Sequence, residues 1–417
     1  MISDGMAINK IANPLLQWES VTSKGIGLDA SFLNTRLNVE FDLYDKKTEG
    51  ILTSPSIYLT MGTASPPTKN TSDMKNRGLE ITASWRDRVG EVEYSVSGNF
   101  SFNKNKIIKY LGKLEQGWIE KDGKRVYESN IGQVAAGGSE TGSLRVEDHM
   151  FDEYYLRTYY SGSGTYYNSD GSVDPKGGPT DGMIRSEADL KWVRDMIAAG
   201  NSFNGVSVNQ SGGLWYGEYI FADLNEDGNY GNNYDRQFTG KSSAPKYNFG
   251  LSASASWKGF DFSMTWTGAA GFWYYLRERG ANQNNLGTQT TILPSDARDM
   301  FYYLAYNKNT GAPIWDDPVN NLTGKYARLR SGSDTPYVAN QQYLYDASYL
   351  KLKMLQIGYT LPKAWTEKAS INRLRLFLSG ENLLTFTGYP GVDPEQGAGL
   401  NIYPISRQLS VGVNLVF

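Results

Sequence analysis

The sequence predicts an all-β protein, the C-terminal part (about nine antiparallel strands) of a large transmembrane β-barrel with long extracellular loops. Three observations predict it. Apolar and polar residues alternate with period two over long runs. The runs match the ~9–11 residues of a tilted membrane strand better than the ~5–6 of a soluble strand. The connections alternate between tight turns and very long loops, as in outer-membrane barrels.

The alternation is explicit in the residues. Leu37, Val39, Phe41 and Leu43 interleave with Asn38, Glu40 and Asp42, and Leu79, Ile81, Ala83 and Trp85 with Glu80, Thr82, Ser84 and Arg86. From 91 to 103, Val92, Tyr94, Val96, Phe100 and Phe102 lie between Ser, Asn and Glu residues. Phe249, Leu251, Ala253, Ala255 and Trp257 repeat the pattern, followed by Phe260, Phe262, Met264 and Trp266 against Asp261, Ser263, Thr265 and Thr267. The last run sets Leu409, Val411, Val413, Leu415 and Phe417 against Gln408, Ser410, Gly412 and Asn414.

Tight turns are expected at Asn34-Thr35-Arg36, Arg88-Val89-Gly90 and Lys258-Gly259, with a modest one over 362–372. Long connections cover about 50–76, 104–245, 273–342 and 387–406. This parity leaves Phe417 on the short-turn side. Nine strands do not close a barrel of the ~22-strand class, and open edges near Gly25 and Phe417 would be a liability. Residues 1–417 therefore read as the C-terminal portion of a longer barrel whose plug domain and first strands lie elsewhere. Met1 to Lys10 lack a charged start followed by an apolar core, which fits that reading.

One helix is expected, at 187–199 inside the 104–245 loop. Ser186 can cap it with Asp189 three residues on, Leu190, Val193, Ile197 and Ala198 follow at helical spacing, and Gly200 stops it. The rest of that loop, including the turn-rich 161–164 and 174–179, reads as a surface excursion without legible chemistry.

Composition narrows the function. There are 41 basic and 44 acidic residues, for a net charge of −3, which offers no electrostatic case for nucleic acid. Absence of cysteine excludes disulfides, thiol nucleophiles and thiolate-bound metal, and the single His149 cannot form a multi-histidine metal centre. No run approaches the ~18 apolar residues of a spanning helix, although strands could still cross a membrane.

The sharpest motif is Asp223-Leu-Asn225-Glu-Asp227-Gly228-Asn229, which matches the opening of a calcium loop: oxygen side chains at the first, third and fifth places, then the Gly of the sharp turn. Tyr234 stands where the bidentate carboxylate belongs, and Asp235 comes one residue late. Asp223, Asn225, Asp227, Asn229 (through its carbonyl) and Asp235 are thus candidate calcium ligands, and an Asx-rich turn closed by its own side chains is the alternative. Aromatic residues in the long loops, Trp215, Tyr216, Tyr274, Tyr302 and Trp315, the last beside Asp316, suit a sugar or peptide, since ring faces stack while polar neighbours take hydrogen bonds. The same rings could instead form membrane-interface girdles or loop cores. Catalysis finds no support in the sequence: Asp316-Asp317 and Glu147-Asp148 are adjacent only in sequence, and His149 has no nucleophile motif.

Several segments together resemble the C-terminal half of SusC/RagA-type TonB-dependent outer-membrane transporters. They are Asn13-Pro-Leu-Leu-Gln-Trp-Glu19, Asn76-Arg-Gly-Leu-Glu80, Tyr219-Ile-Phe-Ala-Asp-Leu-Asn-Glu-Asp-Gly228, Ala347-Ser-Tyr-Leu-Lys-Leu-Lys353 with Ile357-Gly-Tyr-Thr-Leu-Pro362, and Ser379-Gly-Glu-Asn-Leu-Leu-Thr385 with Tyr389-Pro-Gly-Val-Asp-Pro-Glu395. The resemblance implies an importer of oligosaccharides or peptides in the outer membrane, energised by TonB through the plug region and capped by a SusD-like lipoprotein. It also implies that terminal Phe417 is read by the barrel-assembly machinery. Two other readings of the strands and loops are a soluble β-rich carbohydrate-binding protein and a surface glycosidase.

Overall fold

The computed structural model describes residues 13–53, 67–135, 142–210, 212–276, 298–328, 339–398 and 402–417; parts of the expected loops 50–76, 104–245, 273–342 and 387–406 lie outside them. Sixteen strands are present among these residues: β1 (Ser20–Phe32), β2 (Leu37–Thr53), β3 (Lys69–Val89), β4 (Val92–Lys109), β5 (Gln116–Lys121), β6 (Lys124–Ser129), β7 (Ser143–Leu144), β8 (Glu153–Arg157), β9 (Arg236–Ser242), β10 (Tyr247–Trp257), β11 (Phe260–Ala270), β12 (Trp273–Tyr275), β13 (Leu344–Asp346), β14 (Tyr349–Thr360), β15 (Arg373–Thr387) and β16 (Gln408–Val416). Nine of them form one antiparallel sheet in the order β1-β2-β3-β4-β10-β11-β14-β15-β16, an up-and-down meander. The expected number of strands and the turn parity both appear.

Register explains why this sequence makes this sheet. Phe32 pairs with Leu37, Leu37 with Trp85, Trp85 with Val96, Val96 with Ala253, Ala253 with Met264, Met264 with Leu355, Leu355 with Gly380 and Gly380 with Leu409. That row crosses all nine strands on one face without a polar side chain. One residue along, a row on the other face joins Arg86, Ser95, Ser254, Ser263, Gln356, Ser379 and Ser410. Since the side-chain period of a strand is two, a one-residue slip of any strand would put charges and hydroxyls into the apolar face.

β10 and β11, with 11 residues each, and β16, with 9, have the expected length, whereas β3 has 21, β4 has 18 and β2 has 17. The excess lies at the long-loop end, where Lys69, Asn70, Thr71, Ser72, Asp73, Lys75, Asn76 and Arg77 make β3 polar on both faces. The apolar band sets how much of a strand can cross hydrocarbon, and hydrogen-bonded pairing carries the rest into water.

Turns and bulges keep the faces in phase. At the β10–β11 hairpin Lys258 has φ 46° and Gly259 φ 87°, the two positive φ values of a two-residue turn whose twist matches its strands. Leu33, Asn34 and Thr35 likewise have positive φ between β1 and β2. In β14 the register shifts between Leu352 and Met354 against both neighbours, so Lys353 is bulged out. That extra residue puts Leu352 and Leu355, an odd distance apart, on the same face.

The 104–245 loop is not the plain excursion expected from sequence. Residues after β4 fold with the loops after β11, giving a hydrophobic cluster in which Met183, Ile184, Leu190, Trp192, Val193, Ile220 and Phe301 are buried. The expected helix is present at Glu187–Ala198 with a full capping box: Ser186 Oγ accepts from Asp189 N, and Ser186 N donates to the Asp189 carboxylate. Its buried face is Leu190, Trp192, Val193 and Met196, whereas Ile197, expected inward, is exposed. The turn-rich 174–179 segment has a packing role. Trp192 Nε1 donates to the Asp174 carbonyl at 2.9 Å, Tyr160 Oη donates to those of Pro175 and Gly177, and a Cβ at Gly178 would lie 2.9 Å from the Trp192 ring.

A charge on the apolar face should be far costlier than the same charge on the polar face. Leu378 sits on the apolar face between Ile357 and Val411, with 60% of its surface exposed, and Ser379 is its polar-face neighbour. Leu378→Arg should lower unfolding free energy in bilayers by about 2–4 kcal/mol. Ser379→Arg should change it by much less, as read from urea midpoints of the two variants.

Candidate functional site

The 223–235 segment, between Phe221 and β9, is a closed knot of hydrogen bonds. Asp223 accepts from the N–H groups of Asp227 (3.1 Å) and Gly228 (2.8 Å), and Asp227 Oδ1 from that of Asn229 (2.8 Å). Asp227 Oδ2 accepts from the side-chain amides of Asn225 (3.0 Å) and Asn232 (2.7 Å). Asp235, fully buried, accepts from Leu224 N (2.7 Å) and Asn232 N (2.9 Å). Burial and the nearby Asp223 charge push the Asp235 carboxyl up to about 6, and burial also raises Asp223. The sequence-predicted residues Asp223, Asn225, Asp227 and Asp235 are therefore brought together. The side chain of Asn229 is turned to Asn204 N (3.0 Å), leaving only its carbonyl for a ligand. Tyr234 packs on Tyr127 with ring centroids 5.2 Å apart, so the twelfth place is given to packing.

Two arginines that the sequence did not single out brace this segment, Arg157 and Arg236, the latter donating from Nη2 to Asn233 Oδ1 at 3.3 Å. Arg157, buried on β8, donates from Nε to the carbonyls of Gly231 (2.8 Å) and Asn232 (3.1 Å), and from Nη2 to Asn233 Oδ1 (3.0 Å). Burial, with the neighbouring Arg236 charge, brings its pKa down to about 10, against the opposing pull of Asp235. An arginine in an apolar-looking strand carries no sequence signature of such a role. Only the pairing of β8 with β9 reveals it.

The aromatic candidates divide. Trp215 and Tyr216 are buried in the loop core, with Trp215 Nε1 3.2 Å from Tyr303 Oη; they are not the exposed rings their polar neighbours suggested. Trp315 meets Tyr216 edge-on at 5.5 Å and remains 39% exposed, with Asp316 exposed beside it. Tyr302 is 42% exposed on the neighbouring backbone, paired with Asn321. Tyr274 belongs to another cluster, packed on Phe272 and Tyr389 where the loops meet the sheet. Trp215, Tyr216 and Trp315 thus form one chain of ring contacts, apart from Tyr274.

Three of the four carboxylates considered for acid–base roles are engaged structurally. Glu147 accepts from Tyr110 N, Asp148 pairs with Lys106 and Lys113, and Asp317 accepts from Val319 N. His149 stacks on Phe238 at 3.6 Å, with Nδ1 3.1 Å from Glu153.

A charged cluster that sequence reasoning missed ties loop to sheet. Lys351 on β14 is only 2% exposed; its Nζ donates to both Asp393 oxygens (2.6 and 2.7 Å) and to Glu395 (2.8 Å), which also accepts from Lys353 (2.7 Å). Burial pushes the Glu395 carboxyl up, but the two ammonium groups outweigh it and hold the carboxyl below its ordinary value.

A nine-stranded antiparallel arc, apolar on one face and polar on the other, with a folded loop unit at one end, is the wall of an outer-membrane β-barrel. Comparison with known proteins narrows the class. No family model matches the chain. It is 28% identical to TonB-dependent receptor P3 of Formosa agariphila over 99% of its own length and 36% of that relative's. It is 22% identical to TonB-dependent receptor SusC of Bacteroides thetaiotaomicron, over 98% of its length and 33% of SusC. The RagAB peptide transporter structure superposes with a TM-score of 0.65 at 22% identity, covering 99% of this chain and 37% of that one. The RagAB importer in its open-open state gives 0.65 at 21%, covering 99% and 36%. The chain is thus similar in sequence to TonB-dependent receptors and in fold to RagAB, and it spans about a third of the length of these relatives.

The Lys351 cluster generates a prediction. Lys351→Met leaves the buried Asp393 carboxylate without its cation and Glu395 with Lys353 alone, which should cost about 3–5 kcal/mol. The variant should show a lower urea midpoint and faster proteolysis within 388–398, and Lys353→Met, at the exposed rim, a much smaller effect.

Proposed function

We propose that this chain forms part of the wall and extracellular loops of an outer-membrane nutrient importer, energised through TonB and covered by a SusD-like lipoprotein, that takes up oligosaccharides or peptides. The observation that carries the reading is the apolar row running unbroken through nine strands, since such a face suits lipid and not water. The relatives bear names of receptors and transporters rather than of enzymes, and RagAB is described as a peptide transporter. That supports import over the glycosidase reading and gives peptide uptake as much room as glycan uptake.

The loop unit supports the partner and the ligand parts of the reading. Tyr302, Leu304, Tyr306, Ile314, Trp315 and Val319 are all exposed on the 298–328 segment, an apolar surface suited to a lid protein or a bound ligand. Trp315 is held edge-on by Tyr216, which is a rigid mount for a stacking ring.

The protein carrying this chain should fractionate with the outer membrane and require detergent, and cells carrying it should accumulate labelled oligosaccharide or peptide only with an intact TonB system. Trp315→Ala should reduce uptake several-fold at unchanged membrane level. Recovery as a soluble monomer without detergent would overturn the barrel reading; TonB-independent uptake would overturn only the energised one.

Phe417 follows β16 with 79% of its surface exposed, accessible to a recognising partner. If it is the assembly signal, its deletion should lower outer-membrane levels in quantitative immunoblots, whereas Trp315→Ala should not.

A further inference from the structure

The 223–235 segment holds three carboxylates and an unsatisfied amide in one place. Asp223 and Asp227 make no ion pair among the described residues, and Arg157 is taken up by the Gly231 and Asn232 carbonyls and by Asn233. Their charge is met only by N–H groups. Asp223 and Asp227 are half-buried, and withdrawing carboxylates from water with no counter-charge is costly unless something else balances them.

The second observation is Asn225. Its side chain is 93% buried by residue exposure (7% exposed), and its Oδ1 has no hydrogen-bond partner. Its Nδ2 faces Asp227 Oδ2 at 3.0 Å, so the amide is aimed into the cluster. A buried acceptor without a donor costs about 1–3 kcal/mol. Rotating the amide by half a turn would set Asn225 Oδ1 about 3 Å from Asp227 Oδ2, the spacing of two neighbouring oxygens that each lie about 2.4 Å from one calcium ion.

We propose that Asp223, Asn225, Asp227 and the Asn229 carbonyl bind one calcium ion in this loop, with Asp235 or water completing its shell. The Asp223 carboxylate already accepts the N–H groups of the fifth and sixth residues of the loop, so only the Asn225 amide has to turn. With Tyr234 packed on Tyr127, no bidentate carboxylate closes the site at the twelfth place, and the affinity belongs in the ~10⁻⁴–10⁻³ M range of extracellular modules. The site does not depend on transport.

The loop contains its own optical probe. Trp118 Nε1 donates to the Asn225 carbonyl at 2.8 Å, so its indole lies against the site. Terbium, an oxygen-seeking ion of calcium's size, added to the detergent-purified intact protein should give saturable emission on tryptophan excitation, displaced by calcium but not by equal magnesium. Asp227→Asn should abolish it. Trp118→Phe should dim it while leaving calcium protection of 223–235 from protease unchanged. Asn225→Asp separates ion from water: an added ligand charge should tighten calcium binding about tenfold, whereas a fourth carboxylate in a metal-free knot should only lower the melting temperature. Emission that does not saturate, or that survives Asp227→Asn, or an Asn225→Asp variant that is destabilised without a calcium response, would overturn the site in favour of a turn holding a water.

Discussion

Hydrocarbon offers no partner for a peptide N–H or C=O, and every feature of the sheet follows from that constraint. Each strand must pair on both sides through the apolar band, so the chain goes up and down in one antiparallel meander. Pairing in turn fixes the faces. The bulge at Lys353 shows how strict the phase is: Leu352 and Leu355 are an odd number of residues apart, yet the band continues through both because the register skips one residue. The outer strands β1 and β16 are each paired on one side only among the described residues, which leaves the sheet two open edges.

Beyond the band the constraint relaxes, and a different physics takes over. Water can satisfy the backbone there, so irregular chain is tolerated, and stability comes from burying large rings around Trp192 and Phe301. Two long loops distant in sequence build that core jointly, which makes it a single packed unit instead of separate excursions. Its attachment to the barrel combines an apolar contact, Phe272 and Tyr389 with Ala269 and Ala347, and the buried ammonium of Lys351 held by Asp393 and Glu395. A ligand entering from the loop end would meet a preformed surface.

The acidic knot at 223–235 sits on this unit, braced by Arg157 from β8 and by the indole of Trp118 from the β5–β6 hairpin. Its carboxylates serve first as caps for a tight turn, as Asx turns do, and the unsatisfied Asn225 oxygen is what sets it apart from a turn that is complete in itself. Aromatic packing has a comparable double use: Tyr216 is buried structure, and Trp315, leaning on it, is accessible surface.

Strand number, faces and turn parity were legible in the sequence because period-two alternation and positive-φ turn residues such as Lys258-Gly259 are local consequences of residue type. The capped helix start at Ser186 and Asp189 was legible for the same reason, and so was the gathering of Asp223, Asn225 and Asp227, which needs only a turn. What lies between distant segments was not. That Ile197 faces out while Trp192 faces in, that Trp215 is buried, that Lys351 finds Asp393, and that Arg157 closes the acidic loop all depend on which loop folds against which. Contacts of this kind join residues as many as 183 positions apart, Tyr159 with Gln342 for one, and no local pattern encodes them. Strand alternation is written in each segment separately; the loop core exists only once the barrel has brought its loop ends side by side.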